Sequence, residues 1–166
     1  MLIRDETAKD VPAIRKVVGD ALRLLAQSTG TEADIVDRLR ADGALILSLV
    51  AQDRGEVIGY LAASPARIGG QDGWGLIGPL AVDPARHRQG IGTALMEGAL
   101  SRLRARCRGA ALVGDPGYYR RFGFGVFPGL TVAGCPPEVI QALPFDGAAP
   151  CGEVAHHPAF GLDQPR

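Results

Sequence analysis

The sequence predicts a mixed α/β (α+β) domain: a single mixed β-sheet flanked by helices. Three observations carry this. Apolar runs of strand length alternate with amphipathic helical stripes in the order βααβββαβαββ. Two of those runs are joined through Asp53-Arg54-Gly55, a hairpin signal that makes its flanking strands antiparallel. Two later runs, 74–82 and 110–113, are separated by an amphipathic helix, the connection that a parallel pair requires. A doubly wound parallel sheet does not fit that mixture. The 166 residues are read as one domain, 1–166, long enough to bury a core.

The elements follow in order. Residues 1–4 form a short strand, and Thr7-Ala8-Lys9-Asp10 is a capping-box-like helix start. Val11, Ile14, Val18, Leu22 and Leu25 mark a first helix, broken at Ser28-Thr29-Gly30. Thr31 to Asp34 caps a second, short helix carrying Ile35 and Leu39. Residues 44–51 and 56–63 are the two hairpin strands, the second ended by Ser64-Pro65, and 69–73 is a loop. The run 74–82 is almost wholly apolar from Leu76, as a strand buried on both faces would be. Ile91, Leu95, Ala99 and Leu103 place one apolar stripe along a helix over 90–107, with Gly109 as its stop. Residues 110–113 form a buried strand, and 118–122 one or two helical turns. Residues 124–127, 130–133 and 152–155 are strand pieces, 136–143 a short helix behind Pro136-Pro137, and 162–166 a frayed tail.

Composition narrows the function classes. Eighteen Lys+Arg balance eighteen Asp+Glu, so bulk charge supports neither nucleic acid nor a membrane surface as partner. Three widely spaced cysteines, Cys107, Cys135 and Cys151, form no C-x-x-C pair and no zinc spacing; they read as reduced cytosolic thiols. A charged N-terminus and the lack of any long apolar run predict neither signal peptide nor transmembrane helix, hence a cytoplasmic protein. No metal site is expected: His156 and His157 adjoin, without a carboxylate at metal spacing, and read as surface or sheet-end residues.

The chemistry concentrates at Arg86-His87-Arg88-Gln89-Gly90-Ile91-Gly92-Thr93, between the buried strand and the helix. The first amides of a helix lack internal partners, its dipole adds positive charge, and glycines admit a ligand close to the backbone. Arginines flank the bend, so it suits a phosphate or pyrophosphate. Leu95 stands where a dinucleotide fingerprint needs its third small residue, and no Walker lysine is near. A different nucleotide-binding α/β protein is the weakest reading.

The strand ending in Leu80-Ala81-Val82-Asp83-Pro84, the Gln89-Gly90-Ile91-Gly92-Thr93-Ala94-Leu95 turn and the run Gly114-Asp115-Pro116-Gly117-Tyr118-Tyr119-Arg120-Arg121-Phe122-Gly123-Phe124 resemble the GNAT superfamily of N-acetyltransferases, in a bacterial branch whose substrates are mostly unassigned. The resemblance covers nearly the whole chain. It implies a splayed sheet of the GNAT acyl-CoA acyltransferase fold and acetyl-CoA as co-substrate. It implies a cofactor-binding set of Leu80, Ala81, Val82, Arg88, Gln89, Gly90, Ile91, Gly92 and Thr93, with Asp115 as a weak addition. His87 stands where the family pattern has Gln or Arg. A bulge at Gly78-Pro79 would free the Leu80 amide toward the thioester carbonyl, as an oxyanion donor. Tyr119, four residues before Gly123-Phe124, would protonate the departing thiolate, with Tyr118 as its packing neighbour.

The implied function is transfer of an acetyl group from acetyl-CoA to a primary amine by direct attack in a ternary complex. The alternative is a non-catalytic acyl-CoA-binding or sensing module on the same fold. The acceptor is a small-molecule or peptide amine, and the protein a monomer or homodimer. Residues 26–43 and 64–73 are expected to shape the acceptor pocket. Glu32, Asp34 and Asp72 would border it but read as caps or loop charges, and Ser64 and His87 are weaker candidates for a base.

Overall fold

The computed structural model describes residues 1–23 and 30–161. Strand β1 (Leu2–Asp5) leads into α1 (Val11–Leu22) through a single 3-10 turn. The predicted cap is present: the Asp10 carboxylate accepts the Thr7 amide at 2.7 Å, and Arg4 holds it at 2.8 and 3.0 Å. Helix α2 (Glu32–Ala41) follows, then the antiparallel run of β2 (Leu47–Asp53), β3 (Glu56–Ile68) and β4 (Gln71–Val82). Helix α3 (Ile91–Arg104) crosses to β5 (Gly109–Val113), which lies parallel to β4 as predicted. Beyond it come α4 (Pro116–Tyr119), β6 (Leu130–Thr131), β7 (Ile140–Pro144) and β8 (Gly152–Ala155). The sheet runs β1-β2-β3-β4-β5-β7, with β8 pairing the far end of β3 and β6 pairing β8. Position 25, the break at 28–29 and the tail at 162–166 lie outside the described residues.

Alternation along the central strands gives the sheet two apolar faces. Leu49, Ala51, Leu61 and Ala63 meet Leu95, Ala99 and Leu103 of α3 on one face. Val50, Tyr60 and Ala62 meet Ile14, Val18 and Val36 of α1 and α2 on the other. The predicted α3 stripe is fully buried: Leu95, Ala99 and Leu103 are 0 % exposed. Gly59 lets this helix approach, since a Cβ there would stand 2.9 Å from Ile91 Cγ2 and 3.0 Å from Leu95 Cδ1.

Four local readings need correction. Strand β3 continues past Ser64-Pro65 to Ile68, because Pro65 pairs with Gly75 on one edge only. On its other edge the β2 ladder has ended at Ala63 and the β8 ladder begins at Arg67, so no partner awaits the missing amide hydrogen. The loop at 69–73 contracts to a two-residue turn, with Gly69 and Gly70 at φ 56° and 81° and Ile68 paired with Gln71. Residues 136–143 do not form a helix: one 3-10 turn (Pro137–Val139) precedes β7, which covers the free edge of β5 from Val113↔Ile140 to Gly109↔Pro144. Of 124–127 and 130–133, the regular pairing is confined to one bridge, Gly125↔Ala142, and to Leu130–Thr131.

The feature that positions the site is a parting of strands. The β4–β5 ladder comprises Trp74↔Gly109, Gly75↔Ala110 and Leu76↔Ala111, and stops there. Just beyond, Leu61↔Leu80 and Ala63↔Ile77 show one extra residue on β4, the predicted bulge at Gly78-Pro79. From Ile77 onward β4 has β3 on one edge and no strand on the other.

Two outcomes test this packing. Gly59→Ala should destabilise the chain by about 1–3 kcal/mol in urea unfolding, because the new methyl forces α3 outward. Arg4 and Thr7 hold the Asp10 carboxyl well below the usual carboxylate range. A depressed folded value contributes stability above the unfolded one, so it is lost as pH falls below about 4. Thermal unfolding of Asp10→Asn should show less of that acid-side loss than the parent chain.

Candidate active site

Where β4 parts from β5 a cleft of about 650 Å³ opens. One wall is the β4 edge, Leu80, Ala81 and Val82; the floor is the start of α3, Gly90 to Thr93; Tyr118 and Arg121 close it from beyond β5. The N–H of Asp83 donates to the Ile58 carbonyl at 2.8 Å. Strand amides alternate, so Ala81 also faces β3, whereas the Leu80 and Val82 amides face the edge that β5 leaves. An extended chain rich in amides could pair there as an added strand.

The floor is built to bind an anion. Ala94 N–H makes the first bond of α3, to Gly90 carbonyl at 3.0 Å, so the amides of Ile91, Gly92 and Thr93 have no intrahelical partner. Arg88 and Gly90 both take left-handed conformations, φ 65° and 78°, which turn the bend sharply into the helix. Arg86 is tied down by Asp53 and by Gln89 Oε1 at 3.2 Å. His87 Nε2 donates to the Val82 carbonyl at 3.0 Å, so this ring fastens the bend to the end of β4. Arg88 stands on the cleft wall without a hydrogen bond or ion pair among the described residues.

Most residues expected at the cofactor site meet in this cleft; Gln89 and Asp115 do not line it. Gln89 braces Arg86, and Asp115 caps α4 by accepting the Gly117 amide at 2.9 Å. Sequence reasoning did not assign Arg121, whose guanidinium stacks 4.4 Å from the Tyr118 ring centroid. Its signal is spacing: Tyr118 and Arg121 are three apart on a helical turn and share one side of it. Tyr118 reaches so far over α3 that a Cβ on Gly92 would lie 2.8 Å from its hydroxyl.

Tyr119 sits behind Tyr118, ring centroids 4.9 Å apart, with Phe124 at 6.3 Å and against Gly114 at the end of β5. Burial, helped by Tyr118 and Asp115, pushes its phenol up to about 12, so it holds its proton at neutral pH. Tyr118, not Tyr119, lines the cleft itself.

The expected acceptor-side carboxylates are scattered. Asp72 pairs with Arg67 at 3.0 Å on the distant β3–β4 hairpin, and Asp34 pairs with Arg15 at 3.1 Å. The 64–73 segment is committed to the β3–β4 hairpin and the β8 ladder, and Ser64 is fully buried. Only Glu32, with Ile35, borders a second cavity, which adjoins Gly78 and Pro79. Among the described residues no group of three or more His, Cys, Asp or Glu could hold a metal ion.

Residues 45–126 match the profile of the acetyltransferase (GNAT) domain. The chain is 42% identical over 127 residues to the uncharacterized N-acetyltransferase YhbS of Escherichia coli K12, covering 75% of this chain and 73% of that protein. The crystal structure of a GNAT family acetyltransferase from Brucella melitensis in complex with acetyl-CoA superposes with a TM-score of 0.85, at 45% identity over 96% of this chain and 97% of that one. Escherichia coli YhbS in complex with CoA superposes with a TM-score of 0.88, at 32% identity over 98% and 92% of the two chains. Kinship of this extent, together with the parted strands and the amide-lined helix start, places the chain in the GNAT family of N-acetyltransferases.

Proposed function

We propose that the cleft holds acetyl-CoA and that the protein transfers its acetyl group to a primary amine by direct attack in a ternary complex. The observation that carries this is the joining of two complementary surfaces in one cleft. The free β4 edge at Leu80–Val82 suits the amide-bearing pantetheine arm, and the unpartnered amides of Ile91, Gly92 and Thr93, with Arg88 and Arg121, suit the pyrophosphate. Acetyl-CoA and CoA in the two similar structures support the same occupant. Gln89 and Asp115 act at one remove, by bracing Arg86 and by setting α4.

In this reading the Leu80 amide donates to the thioester oxygen as charge develops there, an effect worth about 10²–10³ in rate for one donor. The amine nitrogen bonds to the carbonyl carbon, the carbon–sulfur bond breaks, and Tyr119 gives its proton to the departing sulfur. Tyr119 holds a proton to give at neutral pH, and burial makes it a weaker acid than a free tyrosine. The three free cysteines need play no covalent part, and they suit the cytoplasm, where thiols stay reduced.

A second reading, an acyl-CoA-binding module without turnover, draws on one observation: the cleft wall contains Tyr118 and not Tyr119. Paired variants separate the readings. Calorimetry should detect CoA binding to the chain, and no binding up to millimolar CoA would end the proposal. Tyr119→Phe should lower kcat about 10²-fold or more with little change in CoA affinity, and Tyr118→Phe should lower it much less. A wild-type chain that binds CoA yet acetylates no amine in a broad panel favours the binding module.

A third measurement concerns the cation missed in the sequence. Arg121→Gln should weaken CoA binding about tenfold, the worth of one charge-assisted hydrogen bond. The loss should shrink as salt is raised, because salt screens the contact that the variant removes.

A further inference from the structure

The second cavity has no role in the proposal above. It encloses about 280 Å³, near the lower end of the roughly 300–1,000 Å³ usual for small-molecule sites. Ile35 of α2, Ile77 and Pro79 of β4, Val113 of β5, Val132 and Phe160 make it mainly apolar. Its place in the fold is informative. Gly78 and Pro79 line this cavity, while Leu80, Ala81 and Val82 of the same strand line the coenzyme cleft. Successive strand residues are about 3.3 Å apart, so the two cavities meet at the bulge where β4 leaves β5. A group bound in one lies within reach of the end of a ligand bound in the other.

Polar groups in the lining are few: Glu32, Cys135 and His156, with no lysine or arginine. The two adjacent histidines have opposite commitments. The Ala159 amide donates to His157 Nδ1 at 3.0 Å, which leaves the proton on Nε2, 3.2 Å from Asp42. His157 is therefore occupied on both nitrogens. His156 Nδ1 lies 3.1 Å from the His157 carbonyl, an acceptor only, so Nδ1 carries the proton. Its Nε2 keeps a lone pair and makes no hydrogen bond among the described residues. The ring is held by an edge-on contact with Phe160, centroids 5.5 Å apart. A proton acceptor with its basic nitrogen uncommitted thus stands in an apolar cavity beside the bulge.

We propose that this cavity is the acceptor site, that it selects small primary amines bearing an apolar group and no carboxylate, and that His156 is the base. The inference rests on acetyl-CoA occupying the neighbouring cleft. An aryl or alkyl group fills the apolar wall. A carboxylate on the acceptor would find no lysine or arginine in the lining, and a polyamine would leave further charges without water. His156 Nε2 takes the proton that the amine nitrogen must lose as it bonds to the carbonyl carbon. The electron pair of the carbon–sulfur bond leaves with sulfur, which takes its proton from Tyr119; His156 then returns its own proton to solvent and Tyr119 regains one from it.

The test uses the full chain, acetyl-CoA and an assay of released CoA thiol, with 2-phenylethylamine, phenylalanine and spermidine as probes. 2-Phenylethylamine should have kcat/KM about tenfold or more above the other two, since a buried unpaired charge is poorly tolerated. A preference for phenylalanine or spermidine overturns the assignment. His156→Gln retains a side-chain amide donor but no base; it should lower kcat about 10²-fold or more with KM for the amine little changed. An unchanged kcat overturns the role of His156. Val113, 44 % exposed, can be enlarged without disturbing the core: Val113→Trp should raise KM for 2-phenylethylamine and leave CoA affinity alone. CoA calorimetry separates the two failures. No CoA binding to the wild type overturns the acetyl-CoA reading and this one together; firm CoA binding without turnover of 2-phenylethylamine overturns this one alone.

Discussion

The structure depends on the parting of β4 from β5. A parallel pair that kept its ladder would bury the β4 amides in hydrogen bonds and leave no slot in the sheet. Here the pairing ends at Leu76↔Ala111, and the extra residue around Gly78-Pro79 turns β4 out of register. Proline contributes no amide hydrogen, so Pro79 gives up no donor where β4 slips against β3. The rest of the sheet has to tolerate an open middle. It does so because β7 covers the far edge of β5 and the long β3 strand carries β4 along its whole length.

Each side of that opening has its own chemistry. On one side the helix start and two arginines make a region of positive potential in a chain of zero formal charge. His87 contributes by fastening the bend to Val82, which keeps the amides of α3 aimed into the cleft. On the other side the lining is apolar and without cations. A strand that borders both sides can present one backbone amide, that of Leu80, between them. Tyr119 is packed among aromatic rings behind the cleft, and burial keeps its proton in place.

Much of this was legible in the chain. The α3 stripe repeats every four residues and buries as read, because a helix with one apolar face has one way to lie on a sheet. Asp53-Arg54-Gly55 makes its hairpin because turn geometry is set by the turn residues themselves, with Arg54 and Gly55 at φ 51° and 80°. The errors fall where a partner distant in sequence decides. Ile140, Gln141 and Ala142 look helical beside Pro136-Pro137, yet the bare edge of β5 takes them as a strand. Pro65 looks like a terminator until the gap between the β2 and β8 ladders leaves its nitrogen without a ladder partner.

The candidate site divides in the same way. The anion-binding bend is contiguous, so its glycines, arginines and helix start declare themselves in one stretch of sequence. The coenzyme slot, the Tyr118–Arg121 wall and the cavity at His156 are assembled from segments far apart in the chain. By itself the sequence determined the secondary structure around the bend and the class of ligand for the helix start, because both depend on backbone rules that act over a few residues. Only the tertiary structure decided that Arg121 and Tyr118 share the cleft, that Asp115 serves α4, and that His156 faces an apolar cavity while His157 is committed to Asp42, because those depend on which surfaces the packed core brings together.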